Sequence, residues 1–438
     1  MNFYSSLPQI MIAIYTDKIT PRLQYTLNLV FQTVLATDYQ LYHDKQAFAA
    51  ASLPKMSYCS EKVSDEVHLF ATALLFEENI QPQNITVTYD NDFPVFFQHQ
   101  QNDALSFDPF AMIFYLVSRY EEYVISERDE HGRFTANQSI AKQYNFLQIP
   151  LVNHLCLKIK ALLLRQYPQL HFPQQQFQFL PTYDIDYAWS YLNKGVKRTV
   201  GGYVRAFLKG NVKEIIERLQ VQTGRQTDPF YTFKTLDEFH QTHQLSPVYF
   251  FLLGDYSTFD KSISHHNTAF QQLIRNTAAA YKIGIHPSYV SNERPQQITI
   301  EKNRLAAISQ QNIIRSRQHF LKLFLPTTYQ RLLQNNLTED YTMGYATAVG
   351  FRASIATPYF WYDLANEKAT TLKIFPFQIM DVTLSNYLQL NTEAAKQLTQ
   401  EIINNTKAVN GLFSTLWHNN TINSPLGYFY INDLIKML

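Results

Sequence analysis

The sequence predicts an α/β protein in which a smaller N-terminal domain precedes a distorted (β/α) barrel. Three observations support this prediction. Beyond residue 172, strand-like runs alternate with helix-like segments, a pattern typical of parallel βα units. The chain has 438 residues, which is too long for one hydrophobic core of ordinary size. Ionisable side chains also follow directly after several of the predicted strands.

Residues 1–172 are predicted to form the smaller domain. A short apolar run predicts a strand at its start, and apolar residues with helical spacing predict three helices, so that the expected elements are a strand at 9–15 and helices at 22–35, 108–123 and 149–167. The charged segment 118–134 is interpreted as a solvated helix end and loop. A stretch rich in Pro and Gln, residues 167–179, places the domain boundary near residue 172.

Residues 173–438 are predicted to form the barrel. The expected strands are a run leading into TYDID (182–186), followed by 246–254, 283–286, 313–317, 350–354, 371–381 and 411–418. The expected helices are 269–282, 299–311, 329–335 and 392–406. Helices of this length between strands imply parallel pairing, because parallel strands need long crossover connections.

The composition narrows the class of protein. The net charge is +1, which gives no overall attraction to nucleic acid or to an acidic membrane. The chain contains two cysteines, and no Lys or Arg precedes the first short apolar run, so we expect neither a signal peptide nor a secreted disulfide framework. No apolar run has transmembrane length. A cytoplasmic protein is therefore expected.

The residues at the ends of the predicted strands suggest a metal site. They are Asp184 and Asp186, His286, Arg317 and His319, Asp381 and His418. Parallel barrels gather the carboxyl ends of their strands on one face, where active sites form. A catalytic divalent metal needs a carboxylate, imidazoles and an open position for water. A second carboxylate can then act as the base, and a histidine can protonate the leaving group.

Five segments carry a resemblance to a known family. They are TYDID (182–186), VYFFLLG (248–254), GIHPSYVS (284–291), RSRQHF with the later NLTEDYTM, and FSTLWHNN (413–420). In this order the segments resemble the motifs of the polysaccharide deacetylases, which are NodB-like proteins of carbohydrate esterase family four. The resemblance covers roughly residues 175–425.

The resemblance implies a bacterial, metal-dependent hydrolase that removes N- or O-acetyl groups from a sugar or polysaccharide. It implies that Asp184 is the general base, that Arg317 orients this base and that His418 is the general acid. Asp186 and His286 would bind a divalent metal, with zinc preferred and cobalt or manganese as alternatives. The expected partner is an acetylated glycan or a glycan precursor.

One ligand of the family pattern is missing. The family usually has a second metal histidine four residues after the first, and Val290 stands there in this chain. His319 is the candidate replacement because it lies two residues beyond Arg317, at a neighbouring strand end. His265 and His266 are alternatives, and packing without a metal is the remaining alternative for His319.

Four more residues are candidates for substrate binding: Tyr183, Arg352, Asp381 and Trp417. Arg352 also competes with Arg317 for the arginine role, but EDYTM follows Arg317 and precedes Arg352, as the family order requires for Arg317. Arg352 is otherwise interpreted as a buried structural arginine, and Asp381 as a helix cap.

Two alternative functions stay open. One is a hydrolase of the same fold that acts on a small amide, which a narrow pocket would favour over a long aromatic groove. The other is an inactive glycan-binding or scaffold protein, which the valine at position 290 suggests.

Overall fold

Two parallel sheets, one on each side of residue 172, organise the chain. The computed structural model describes residues 11–101 and 103–438. The first sheet has the order β2-β1-β3-β4 and consists of β1 (Met11–Tyr15), β2 (Asp38–Tyr42), β3 (Lys55–Cys59) and β4 (Val67–Phe70). A separate antiparallel hairpin pairs β5 (Thr88–Asp90) with β6 (Phe93–Val95). Residues 9 and 10 of the predicted first strand lie outside the described residues.

The second sheet carries the residues of the predicted site. Its strands are β7 (Gln178–Ile185), β8 (Val248–Phe251), β9 (Lys282–Ile285), β10 (Arg315–Ser316), β11 (Glu339–Asp340), β12 (Tyr359–Asp363), β13 (Lys368–Ile374), β14 (Ile379–Met380) and β15 (Leu412–His418). Their spatial order is β12-β13-β11-β10-β9-β8-β7-β15-β14. Every pair in this sheet is parallel except β12 with β13.

The expected closed barrel is not formed by the residues that the structure describes. Strand β13 pairs with β11 on one edge and with β12 on the other, so it has no edge left for β14. Strand β14 therefore pairs only with β15, and the sheet stays open. The chain is a mixed α/β protein with a long, mainly parallel sheet.

Helices cover both parts of the chain. In the first part they are α1 (Pro21–Leu27), α2 (Lys45–Ala50), α3 (Pro109–Val117), α4 (Tyr120–Val124), α5 (Ile140–Gln143) and α6 (Leu151–Gln166). In the second part they are α7 (Gly195–Leu208), α8 (Val212–Gln222), α9 (Phe233–Thr242), α10 (Thr268–Ala280), α11 (Gln296–Ser309), α12 (Thr327–Gln334), α13 (Thr392–Lys407), α14 (Pro425–Asn432) and α15 (Leu434–Met437). None of them, within the described residues, is long and apolar enough to cross a membrane.

Four predicted elements differ from the structure in detail. The helix at 22–35 becomes π-helical from Asn28 to Val34, and the helix at 108–123 breaks at Arg119, whose φ is 57°. The expected strand at 350–354 is wrong, because Gly350 and Ser354 take φ values of 135° and 53° that a strand does not allow. The expected strand at 371–381 divides into β13 and β14 on either side of Pro376, which has no amide hydrogen for a strand ladder.

The interpretation of 118–134 as a solvated segment is also wrong. Arg119 binds Glu121 at 2.7 Å and Glu122 at 2.8 Å, and Glu122 binds Arg352 at 2.7 Å. All four side chains are at most 2% exposed. The guanidinium charges of Arg352 and Arg119 lower the pKa of Glu122, although burial alone would raise it. This buried cluster joins the two sides of residue 172, and the division into two domains stays a prediction.

Candidate metal and catalytic site

The parallel register of the second sheet brings the predicted residues together. Asp184 on β7 lies opposite His418 on the neighbouring strand β15. His286 follows β9 directly, and Arg317 follows β10 directly. Because these strands are parallel neighbours, their carboxyl ends meet at one edge of the sheet.

Asp184 is held by a buried arginine. Arg317 donates from Nη1 to Asp184 Oδ1 at 3.0 Å. The same guanidinium donates to the Thr182 hydroxyl at 2.5 Å and to the Tyr341 carbonyl at 3.0 Å, and Arg317 has no exposed surface. Three fixed contacts leave the arginine one orientation, and the carboxylate of Asp184 is fixed with it.

Asp186, His286 and His319 form a cluster with the geometry of a metal site. Asp186 Oδ1 lies 3.3 Å from His286 Nε2, and Asp186 Oδ2 lies 3.6 Å from His319 Nε2. One ligand atom from each residue can be chosen so that all three lie within 4.8 Å of one another. Val290 lies in a short 3-10 helix, and it is His319 that joins the cluster.

Hydrogen bonds hold both imidazoles through Nδ1 and leave Nε2 as the nitrogen that faces Asp186. His286 Nδ1 lies 2.6 Å from the Arg317 carbonyl oxygen, which can only accept, so Nδ1 carries the proton. His319 Nδ1 lies 2.9 Å from the Asp260 carboxylate and donates in the same way. Both Nε2 atoms are therefore directed towards Asp186. Metal-binding histidines are usually held by such a bond from the other ring nitrogen.

The surroundings of Asp186 are compatible with a bound cation. Its Oδ1 atom is buried and has no hydrogen-bond partner, and the Nε2 atom of His286 lies 3.3 Å away. Buried polar atoms without partners are costly. Burial lowers the pKa of His319, yet the charges of Asp186 and Asp260 raise it to about 9. A divalent metal would satisfy all three side chains.

His418 lies next to the cluster and is oriented by Asp381. Its Nδ1 lies 2.8 Å from Asp381 Oδ1, and its Nε2 lies 3.8 Å from Asp186 Oδ2. Burial lowers the pKa of His418, but the charge of Asp381 and its hydrogen bond raise it to about 10. The imidazole is therefore a protonated donor facing the cluster.

Asp381 is not a substrate contact, which corrects the prediction made for it. The residue is only 1% exposed. One carboxylate oxygen accepts from the His418 ring, and the other accepts from the His418 amide at 2.8 Å and from the Thr421 hydroxyl. These contacts make Asp381 a positioning residue.

The other three predicted substrate contacts are also wrong. Tyr183 and Trp417 alternate with Asp184 and His418 along their strands, so they lie on the opposite face of the sheet. Tyr183 binds His240 at 2.8 Å and Trp417 stacks on Tyr430, both in the core. Arg352 belongs to the buried ion cluster, which confirms the interpretation as a structural arginine.

The weaker metal-ligand alternatives lie elsewhere. His265 and His266 line a different cavity, together with Lys194, Arg198 and Arg304. The cavity that contains Asp184, Asp186, His286, His319 and His418 does not include either of them.

The site cavity has a volume of about 190 Å³. One part of its wall is apolar and is formed by Phe320, Leu321, Ala346, Met380, Val382 and Leu416. Typical ligand pockets are larger, at about 300–1,000 Å³. The cavity therefore encloses a small group rather than a whole saccharide.

Asp260 and Arg133 belong to the site but were not predicted from the sequence. Asp260 holds His319, and Arg133 lines the cavity from the segment 118–134. Arg133 donates from Nη1 to the Phe320 carbonyl at 2.9 Å and from Nε to Asp129 at 2.7 Å. Both lie in irregular segments without a periodic pattern, so no local sequence signal marks them.

Comparisons with known proteins add little to this geometry. Residues 12–168 match the model of a "Family of unknown function (DUF7033)". Comparison with curated proteins gives no match. A crystal structure of a "putative polysaccharide deacetylase" from Mycobacterium smegmatis aligns with 12% identity and a TM-score of 0.40, over 61% of this chain and 85% of the other. A similarity of this size carries no conclusion, so the chemistry has to be inferred from the side chains themselves.

The metal site makes a prediction about His319. His319→Ala should lower zinc affinity by about tenfold or more, because only two protein ligands would remain and catalytic zinc usually has three. A competition titration against a chromophoric chelator measures this. His265→Ala is the matched control and should bind zinc like the unchanged protein. Equal zinc affinity of the two variants would remove His319 from the ligand set.

Proposed function

We propose that the protein is a metal-dependent hydrolase that removes an acetyl group from a sugar or glycan. The observation that carries this proposal is the arrangement around Asp186. Asp184, whose carboxylate is held by Arg317, lies 3.6 Å from His286 of the three-residue cluster, and His418 lies 3.8 Å from Asp186. Hydrolysis of an acetyl group needs a proton acceptor and a proton donor at these two positions.

Asp186, His286 and His319 would hold the metal. One carboxylate and two imidazoles suit zinc, with cobalt and manganese as alternatives. When bound, such a metal supplies a Lewis acid that polarises the acetyl carbonyl and acidifies a water molecule.

Asp184 would accept the proton of the attacking water. Its Oδ2 atom faces the cluster, 3.6 Å from His286 Nε2, while Oδ1 is bound by Arg317. The arginine keeps the carboxylate in place, and a carboxylate at this position can act as a base.

His418 would donate a proton to the departing amine or alcohol. Asp381 fixes the ring through Nδ1, so Nε2 is the nitrogen that faces the cluster. The same hydrogen bond favours the imidazolium form, as the raised pKa of His418 indicates.

The apolar part of the cavity wall suits the methyl of an acetyl group. Leu321, Ala346, Met380 and Leu416 belong to one small apolar cluster beside the site. A volume of about 190 Å³ holds an acetyl group and leaves the rest of the substrate outside. The assignment of that remainder as a sugar depends on the motif resemblance of residues 182–186, 284–291 and 413–420.

The compact cavity also favours a second candidate, a hydrolase of small amides. Turnover of N-acetylated oligosaccharides against that of simple acetamides distinguishes the two. The inactive-protein alternative is disfavoured because Asp184, Arg317 and His418 all keep the contacts that catalysis would need. The predicted cytoplasmic location would make sugars linked to lipid or nucleotide suitable substrates.

The base assignment predicts the behaviour of Asp184→Asn. The variant should lose at least about a hundredfold in turnover, because an amide cannot accept the proton. It should still bind zinc, since Asp184 is not among the three proposed ligands. Asp65→Asn, at a side chain that is 95% exposed, is the matched control and should be fully active. Wild-type turnover by Asp184→Asn would exclude its role as base.

The acid assignment predicts a dependence on the leaving group. His418→Ala should slow the release of an amine strongly and the release of an activated phenol only weakly, since a good leaving group needs no proton. Steady-state rates on an N-acetyl sugar and on an aryl acetate measure the difference. Equal losses on both substrates would mean that His418 does not act as the general acid.

A further inference from the structure

Two helices beyond the site form a hairpin that the proposed chemistry does not use. Helices α7 and α8 are joined by a short turn at Gly210, whose φ is 62°. They pack side by side: a Cβ on Gly202 would lie 2.4 Å from Arg218 Nη1, and the Tyr203 hydroxyl donates to Gln222 at 2.8 Å. We call residues 195–222 the amphipathic hairpin.

The amphipathic hairpin exposes its apolar side chains. On α7 these are Val196, Val200, Val204, Phe207 and Leu208, and three of them are more than 75% exposed. On a helix with 3.6 residues per turn the five positions fall within an arc of about 120°. Ala206, which is fully buried, lies on the other side of the helix.

Helix α8 repeats the pattern. Val212, Ile216 and Leu219 are each at least half exposed and share one face, whereas Val221 is 2% exposed on the opposite face. Both helices thus direct apolar residues away from the protein body. Scattered exposed apolar residues are ordinary, but an ordered face of this kind marks an interaction surface.

The net charge of the amphipathic hairpin indicates what kind of partner its apolar face would bind. Residues 195–222 contain six Lys and Arg but only two Glu, a net charge of +4, whereas the whole chain carries +1. Of the two acidic residues, Glu214 is paired with Arg218, and Glu217 accepts a hydrogen bond from Tyr191. The chain therefore contains a strongly basic segment although its overall net charge is close to zero.

A second copy of this chain is a poor partner, because two such faces would place +4 against +4. An anionic lipid surface matches both properties. Basic amphipathic helices lie in the plane of a membrane interface, with the apolar face among the acyl chains and Lys and Arg near the anionic headgroups.

We propose that the amphipathic hairpin docks the protein on an anionic membrane surface. The hairpin begins nine residues after Asp186, so docking brings the site edge of the sheet towards the bilayer. If the deacetylase function holds, this favours a substrate whose sugar is attached to a lipid. The docking itself needs only the exposed face and its charge.

Flotation of the full-length protein with vesicles tests the proposal. The protein should bind vesicles of phosphatidylcholine with phosphatidylglycerol and not vesicles of phosphatidylcholine alone, and high salt should release it. Phe207→Ser with Leu208→Ser should weaken binding by about tenfold or more, because both side chains lose their apolar burial. Arg205→Gln with Lys209→Gln should weaken it by a similar factor.

Matched control variants distinguish the loss of this particular face from general effects of substituting exposed residues. Tyr428→Ser, at a 63% exposed residue elsewhere, and Lys234→Gln, at a side chain that is 87% exposed, should leave vesicle binding unchanged. Asp184→Asn should also bind vesicles normally, so that failure of the deacetylase proposal is distinguishable from failure of docking.

Three outcomes would overturn the proposal. The first is no binding to anionic vesicles, and the second is equal binding to neutral and anionic vesicles. The third is a dimer in solution, measured by light scattering, that Phe207→Ser with Leu208→Ser dissociates while vesicle binding is unaffected. That result would show that a second copy covers the face.

Discussion

The carboxylate of Asp186 is the constraint on which the site depends. Its Oδ1 atom is buried without a hydrogen-bond partner, and the Nε2 atoms of His286 and His319 face the same carboxylate. Such a group is costly to bury unless a cation compensates for it. The positions of His286 and His319 are therefore understandable as a binding site, and the apolar wall around them reduces competition from water.

Arg317 contacts both the proposed base and one of the proposed metal ligands. Its guanidinium fixes Asp184, the proposed base, and its backbone carbonyl accepts a hydrogen bond from His286, a proposed metal ligand. One residue at the end of β10 therefore sets both the direction of the base and the tautomer of a ligand. Asp260 and Asp381 hold His319 and His418 in a similar way. Each of the three imidazoles is therefore fixed by a contact between its Nδ1 atom and an oxygen atom.

Local patterns predicted much of this arrangement. Asp184, Asp186, His286 and His418 stand at strand ends that the sequence marks, and His319 followed from its place beside Arg317. Sheet closure could not be predicted, because it depended on which edge of β13 was already paired. Arg133 and Asp260 reach the site from irregular segments, and helix α7 was missed where Gly201 and Gly202 weaken the helical signal.

The most direct test is a crystal structure with zinc, with the metal located by anomalous scattering. The account predicts a single strong peak bound by Asp186, by His286 Nε2 and by His319 Nε2, with both nitrogens at about 2.0–2.1 Å from the zinc. A peak at Asp186 and His286 with the His319 ring turned away would contradict the ligand set. Absence of zinc from this cluster in crystals soaked with the metal would contradict the central claim.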